Sequence, residues 1–209
     1  MAIYHFSAKV ISRANGSSAV AAAAYRSASE LADERLGRSH NFSNKTGVVH
    51  SEIMAPEGSP ARWQDRQRLW NEVEASEKRK DAQLAREVEF SLPRELDQAQ
   101  GIELAREFVR REFVARGMVA DLNVHWDVGP DGQAKPHAHV MLSMREVTRD
   151  GADGEGFGQK VRAWNSTELL TDWREAWANH VNARLAELDI EMRIDHRTLE
   201  AQGVDLEPQ

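Results

Sequence analysis

The sequence predicts an α+β fold, a mostly antiparallel central sheet with helices packed on one face. Three observations lead there. The elements run strand, helix, strand, helix, strand, helix, hairpin, helix. The clearest hairpin joins two long alternating strands through a Gly-Pro-Asp-Gly turn at 129–132. Each well-phased strand also sorts its residues into one apolar and one polar face.

Residues 2–9 read as a strand, with Tyr4, Phe6 and Ala8 alternating with Ile3, His5 and Ser7. SRANGSS, 12–18, is a loop with an Asn-Gly turn signal. Ser17 or Ser18 then caps a helix to about Leu31, which holds the run AVAAAA, 19–24, and Tyr25. Residues 35–47 are polar and read as a loop, and Val48 to Ala55 as a strand of open phase. Pro60 opens a helix to about Arg79, with Trp63, Trp70 and Val73 on one stripe. The charge run EKRKD, 77–81, reads as its solvated end.

Residues 85–92 form a strand, and Asp97 caps a helix to Arg116 with Ile102, Ala105, Val109 and Phe113 inward. Gly117 stops that helix. Residues 118–128 and 136–147 are the hairpin strands. The Gly-rich, acidic stretch 150–160 reads as a flexible loop; its GEGFG lacks the strand and the Lys-Ser/Thr of a phosphate loop. Ser166 or Thr167 starts the last helix, whose inner face is Leu170, Trp173, Trp177, Val181 and Leu188. The tail DHRTLEAQGVDLEPQ stops without a structural terminator.

The 209 residues, 41% hydrophobic and 29% charged, suit one soluble domain. No apolar run is long enough to cross a bilayer, and MAIYHFSAKV is not a signal peptide. The absence of cysteine fits the cytoplasm and leaves any metal to His, Asp or Glu. The net charge of −7 argues against a nucleic-acid binder. Its distribution softens that: residues 1–50 balance at +3, 51–120 at −2 and 121–209 at −8.

Strand phase locates a candidate site. On 118–128, Ala120, Leu122, Val124, Trp126 and Val128 face the core, while Asp121, Asn123, His125 and Asp127 face away. On the partner strand, Ala138, Val140, Leu142 and Met144 oppose His137, His139, Met141 and Ser143. On 86–92, Val88, Phe90 and Leu92 oppose Glu87, Glu89 and Ser91. Paired strands lie about 4.8 Å apart and residues two apart about 7 Å, so His125, His137 and His139 can close on one ion at about 2.1 Å. A three-imidazole set suits Zn2+ with an open position, or Mn2+ and, less typically, Mg2+ when phosphate and water complete the shell.

PHAH, 136–139, within HWDVGPDGQAKPHAHVMLSMREV resembles the His-hydrophobe-His motif of the MobA/MobL relaxases, members of the HUH endonucleases. AIYHFSAKVISRANGSSAVAAAAYRSA resembles the family's first motif, REVEFSLPREL its middle motif, and DHRTLEAQGVDLEP the tail of TraA-type relaxases of rhizobial and agrobacterial plasmids. The resemblance implies an HUH relaxase-like sheet and a metal on His125, His137 and His139. It implies Tyr25 as nucleophile, giving a 5′-phosphotyrosyl strand and a free 3′-hydroxyl, and an acidic active-site residue at Glu87 or Glu89. Only one Tyr stands in the motif, where some relaxases carry two. It further implies one nicking domain, 1–209, followed by a helicase-like region, with relaxosome proteins and a type IV secretion coupling protein as partners. The protein would work in the bacterial cytoplasm and be exported bound to DNA.

A phenol titrates near pH 10, so Tyr25 needs a proton acceptor, for which Glu87 or Glu89 is a candidate. Either carboxylate, or Asp127, can instead orient a histidine. The substrate implied is single-stranded DNA at an origin of transfer, with Lys9, Arg13, Arg26, Arg35, Arg38, Lys45, His196 and Arg197 as candidate contacts. Two rival readings remain: a three-His metallohydrolase using metal-bound water, and a replication-initiator-like DNA-binding module.

Overall fold

The computed structural model describes residues 4–151, 154–197 and 202. Along the chain come β1 (Phe6–Ser12), α1 (Ala19–Ser27), β2 (Glu30–Asp33), β3 (Arg38–Asn41), β4 (Val48–Met54) and α2 (Arg66–Ala75). Then follow β5 (Gln83–Ser91), α3 (Gln98–Glu112), β6 (Ala120–Val128), β7 (Ala134–Leu142), β8 (Arg145–Gly151), β9 (Gly154–Lys160) and α4 (Thr167–Glu187). One antiparallel sheet has the order β1-β5-β7-β6-β4; β2-β3 and β8-β9 are separate hairpins. This is the expected α+β, mostly antiparallel architecture.

Helix ends follow local chemistry. Ser18 Oγ accepts the Ala21 N–H and starts α1. Asp97 and Gln100 form a reciprocal capping box on α3. Asp65 Oδ1 caps α2 at the Arg68 N–H, so the helix expected from Pro60 begins later, behind a 3-10 turn at Ala61–Gln64. Alanines favour continued helix past Ser27, yet Ala28 turns left-handed at φ 52° and the chain enters β2. The expected loop 35–47 thus contains β3, and the expected loop 150–160 contains β9. Phe157 of β9 stacks on Trp63 at 4.1 Å, an anchor that glycine-rich composition conceals. On α4, Leu185 rather than Leu188 is buried, and Val128, expected on the core face, is 66% exposed because it ends β6 beside the turn, beyond the reach of the helices.

The core divides across the sheet. Val88, Phe90, Leu122, Val124, Ala138 and Val140 pack against Phe108 of α3 and Trp173 and Trp177 of α4. The helices on this face match the expectation. Part of the other face is covered too: Ile11, Ile53, Ala85 and Met141 join Val20 and Ala23 of α1 and Trp70 of α2. The remainder of that second face holds the histidines.

Candidate metal and nucleophile site

The β6–β7 register sets His125 opposite His137 and Asn123 opposite His139. Ring centroids lie 4.7–5.1 Å apart, and one ligand atom from each histidine lies within 4.8 Å of the others. Tetrahedral nitrogens around one ion at about 2.1 Å sit roughly 3.4 Å apart, so small side-chain rotations suffice.

Each imidazole already has one nitrogen engaged by an acceptor. His125 Nε2 meets the Arg26 carbonyl at 2.8 Å, His137 Nδ1 the Lys135 carbonyl at 2.9 Å, and His139 Nδ1 the Glu87 carboxylate at 3.1 Å. An acceptor fixes the proton on the nitrogen facing it and leaves the lone pair on the other. Burial, partly opposed by the Arg26 carbonyl bond, pushes His125 down to about 4, which keeps it neutral. Three imidazoles, each with one nitrogen engaged and the other turned free, fit a divalent metal.

Glu87 is buried beneath this cluster. Its carboxylate takes His139 on one side and meets Arg26 and, at 3.9 Å, Lys9 on the other. Burial works against its charge, but the bonds from His139 and Arg26 and the Lys9 charge hold its carboxyl below the ordinary value. Glu89, directly opposite His139, is freer, with Oε2 3.9 Å from His139 Nδ1. Glu87, Glu89 and His139 could also gather round an ion. The engagement of Glu87 with Arg26 favours the three histidines.

Tyr25 lies at the C-terminal end of α1, 48% exposed. Its ring is met edge-on by Phe42 at 5.2 Å and from above by Lys45 Nζ at 3.7 Å, which also donates to the Tyr25 carbonyl. None of the described residues hydrogen-bonds its hydroxyl. The adjoining Arg26 carbonyl reaches His125, Trp126 N–H donates to the Gly47 carbonyl at 2.8 Å, and the 45–47 loop returns Lys45 to Tyr25. Tyr25, Arg26, His125, Trp126, Gly47 and Lys45 therefore form a closed circuit.

Other expected residues fall elsewhere. Arg13 is engaged inside the fold, with Glu74 Oε2 at 2.6 Å and the Glu74, Glu77 and Arg79 carbonyls, so its guanidinium is not offered to phosphate. Arg26 is turned inward onto Glu87, whereas Lys9 is exposed. Asp127 stands over Gly47 instead of a histidine. Arg197 pairs with Asp195, and both it and His196 follow Ile194, which packs with α4 in the core on the sheet's other face. No described contact joins them to the histidines. Most of the tail motif lies outside the described residues. Sequence reasoning missed Lys45 on the tyrosine ring and the Arg26 carbonyl, because a backbone acceptor and a lone loop cation leave no pattern.

The chain matches the MobA/MobL family over residues 17–209. The conjugal transfer protein TraA of Agrobacterium fabrum (strain C58 / ATCC 33970) is 37% identical over 235 residues, covering 100% of this chain and 21% of TraA. The mobilization protein MobL of Acidithiobacillus ferridurans is 38% identical over 236 residues, covering 100% of this chain and 61% of MobL. The chain thus spans about a fifth of the one relative and three-fifths of the other. A chain solved in work on the molecular basis of vancomycin resistance transfer in Staphylococcus aureus superposes with a TM-score of 0.83 at 34% identity, covering 94% of this chain and 99% of that one. The metal-bound conjugative relaxase TrwC with oriT DNA has a TM-score of 0.60 at 12% identity, over 91% of this chain and 73% of that one, a likeness of fold alone. Family match, identity along the whole chain and a shared sheet agree: this chain belongs to the MobA/MobL family.

Proposed function

We propose that this domain nicks and rejoins single-stranded DNA at a plasmid origin of transfer, with Tyr25 as nucleophile and a divalent metal on His125, His137 and His139. The observation that carries the reading is the trio of clustered imidazoles, oriented by the Arg26 and Lys135 carbonyls and by Glu87, with Arg26 adjoining Tyr25. The names of the relatives, conjugal transfer and mobilization proteins, point the same way.

In the step, the Tyr25 oxygen forms a bond to phosphorus and the bond from phosphorus to the 3′-oxygen breaks. The products are a 5′-phosphotyrosyl strand and a 3′-hydroxyl, and the reverse attack recloses the strand. The phenol proton must leave, and the departing 3′-oxygen must gain one. Glu89 is the carboxylate free to accept; Glu87 serves as the residue that orients His139 and Arg26. A bound metal supplies positive charge to the phosphate oxygens. Lys45 on its ring and Phe42 at its edge hold the tyrosine in one place, which lowers the entropic cost of in-line attack.

The test is a labelled single-stranded oligonucleotide carrying the transfer origin. Wild type is expected to give a protein–DNA adduct that survives boiling in detergent, only with divalent metal. Tyr25→Phe is expected to abolish adduct and cleavage while metal binding persists. Cleavage retained by Tyr25→Phe would instead establish the metal-water hydrolase.

A further inference from the structure

We propose that one arm of the DNA strand leaves Tyr25 along two confluent clefts and ends against Lys78 and Lys80. The proposal rests on the nicking function above.

The first cleft, about 490 Å3, lies between β1, α1 and β3 and includes Lys9, Tyr25, Arg26, Arg38 and Phe42. The second, about 410 Å3, includes Arg35, Lys78, Arg79 and Lys80. They share Gly16, Ser17, Leu36 and Arg38 as common wall. Gly16, at φ 73°, has no atom within 4 Å of where a Cβ would stand, so the passage there is open.

Neither lining contains an Asp or a Glu, although the chain carries a net charge of −7. Most of the cations have acidic partners: Arg13 and Arg35 on Glu74, Arg26 on Glu87, Arg79 on Asp81. Arg38, Lys78 and Lys80 are exposed and have no acidic partner among the described residues. Arg13 brings Lys78 and Lys80 here. Its guanidinium takes the Glu77 carbonyl at 2.7 Å and the Arg79 carbonyl at 3.1 Å, drawing the run after α2 onto the β1–α1 loop. A run that sequence alone reads as a solvated helix end thus becomes the wall of a cleft.

Unpaired cations spaced along a groove fit successive phosphates of a flexible strand, and exposed apolar side chains beside them suit unstacked bases. Leu36, 41% exposed on the common wall, and Tyr25 supply such surfaces.

The test measures binding and adduct formation of wild type and Lys78→Ala/Lys80→Ala. Three oligonucleotides are used: one spanning only the nick, and two extended on either side of it. With one extended oligonucleotide, the slope of log affinity against log salt should fall by about 1.4, two phosphates at about 0.7 each. Binding and adduct formation on the minimal oligonucleotide should not change. Arg38→Ala should lower the same slope by about 0.7, and Arg110→Ala on α3 should leave it intact. An unchanged slope with both extended oligonucleotides overturns the track, as does an equal loss on the minimal one. Absence of adduct from wild type refutes the nicking function instead.

Discussion

Glu87→Gln separates charge from shape beneath the histidines. The amide oxygen can still accept from His139 Nδ1, but Arg26 loses its counter-ion. Both side chains are nearly enclosed, 12% exposed for Arg26 and 2% for Glu87. Removing one partner of a buried pair costs about 3–5 kcal/mol. Arg26 retains its bond to the Ala22 carbonyl at 3.0 Å, so the lower end applies, about 3 kcal/mol. Losing the carboxylate behind His139, a proposed ligand, should weaken metal binding about tenfold, roughly 1.4 kcal/mol. Urea unfolding of metal-free protein reads the first quantity and titration calorimetry with Mn2+ or Zn2+ the second. The pH dependence has a definite sign. Glu87 is held below its unfolded value of about 4.3, so its contribution is complete above that value and disappears as pH falls through the folded one. The difference between wild type and variant should therefore be flat near neutrality and close on acidification. A loss under about 1 kcal/mol together with unaltered metal affinity would refute the reasoning, because Glu87 would then be neither a counter-ion nor an orienting group.

Two further perturbations address the rest of the circuit. His125 titrates at about 4 when folded and near 6.5 when unfolded, so protons favour the unfolded chain and stability should fall between those values by up to about 3 kcal/mol. Urea midpoints of metal-free wild type and His125→Gln across that range should diverge at neutral pH and converge in acid; parallel curves would count against a buried neutral imidazole. Gly47→Ala places a Cβ 2.2 Å from Asp127 Oδ1 at a backbone φ of 95°. About 1–2 kcal/mol of strain should shift the loop that presents Lys45 and slow adduct formation at Tyr25, measured by single-turnover kinetics, with DNA affinity preserved; an unchanged rate would free Tyr25 from dependence on that loop.

Much of the site was legible because a strand has a period of two. Alternation alone put His125, His137, His139, Glu87 and Glu89 on one face, and the turn at 129–132 paired the strands that bring the histidines together. The same rule could not say how far the polar patch extends. Met141 shares the face of His137 and His139, yet it is buried with α1 and α2, because strands change neighbours along their length. The hairpins β2–β3 and β8–β9 are short, and partners elsewhere in the fold hold them: Asn71 and Gln67 of α2 bond the backbone of β2, and Trp63 receives Phe157. Neither partner is visible within the hairpin's own sequence. Arg13 illustrates the converse. A cation at the start of a basic region reads as a DNA contact, and only the fold reveals Glu74 beneath it.

The circuit through Arg26 and His125 also bears on when the site can form. The two residues stand 99 positions apart, and their hydrogen bond closes that whole length of chain. Loop closure on this scale is unfavourable until pairing of the intervening strands compensates for it, so such contacts come late in folding. A chain emerging from its N-terminus exposes Tyr25 while the strand that anchors its helix is still unmade. Tyr25 and the histidines are assembled together, once β6 has joined the sheet.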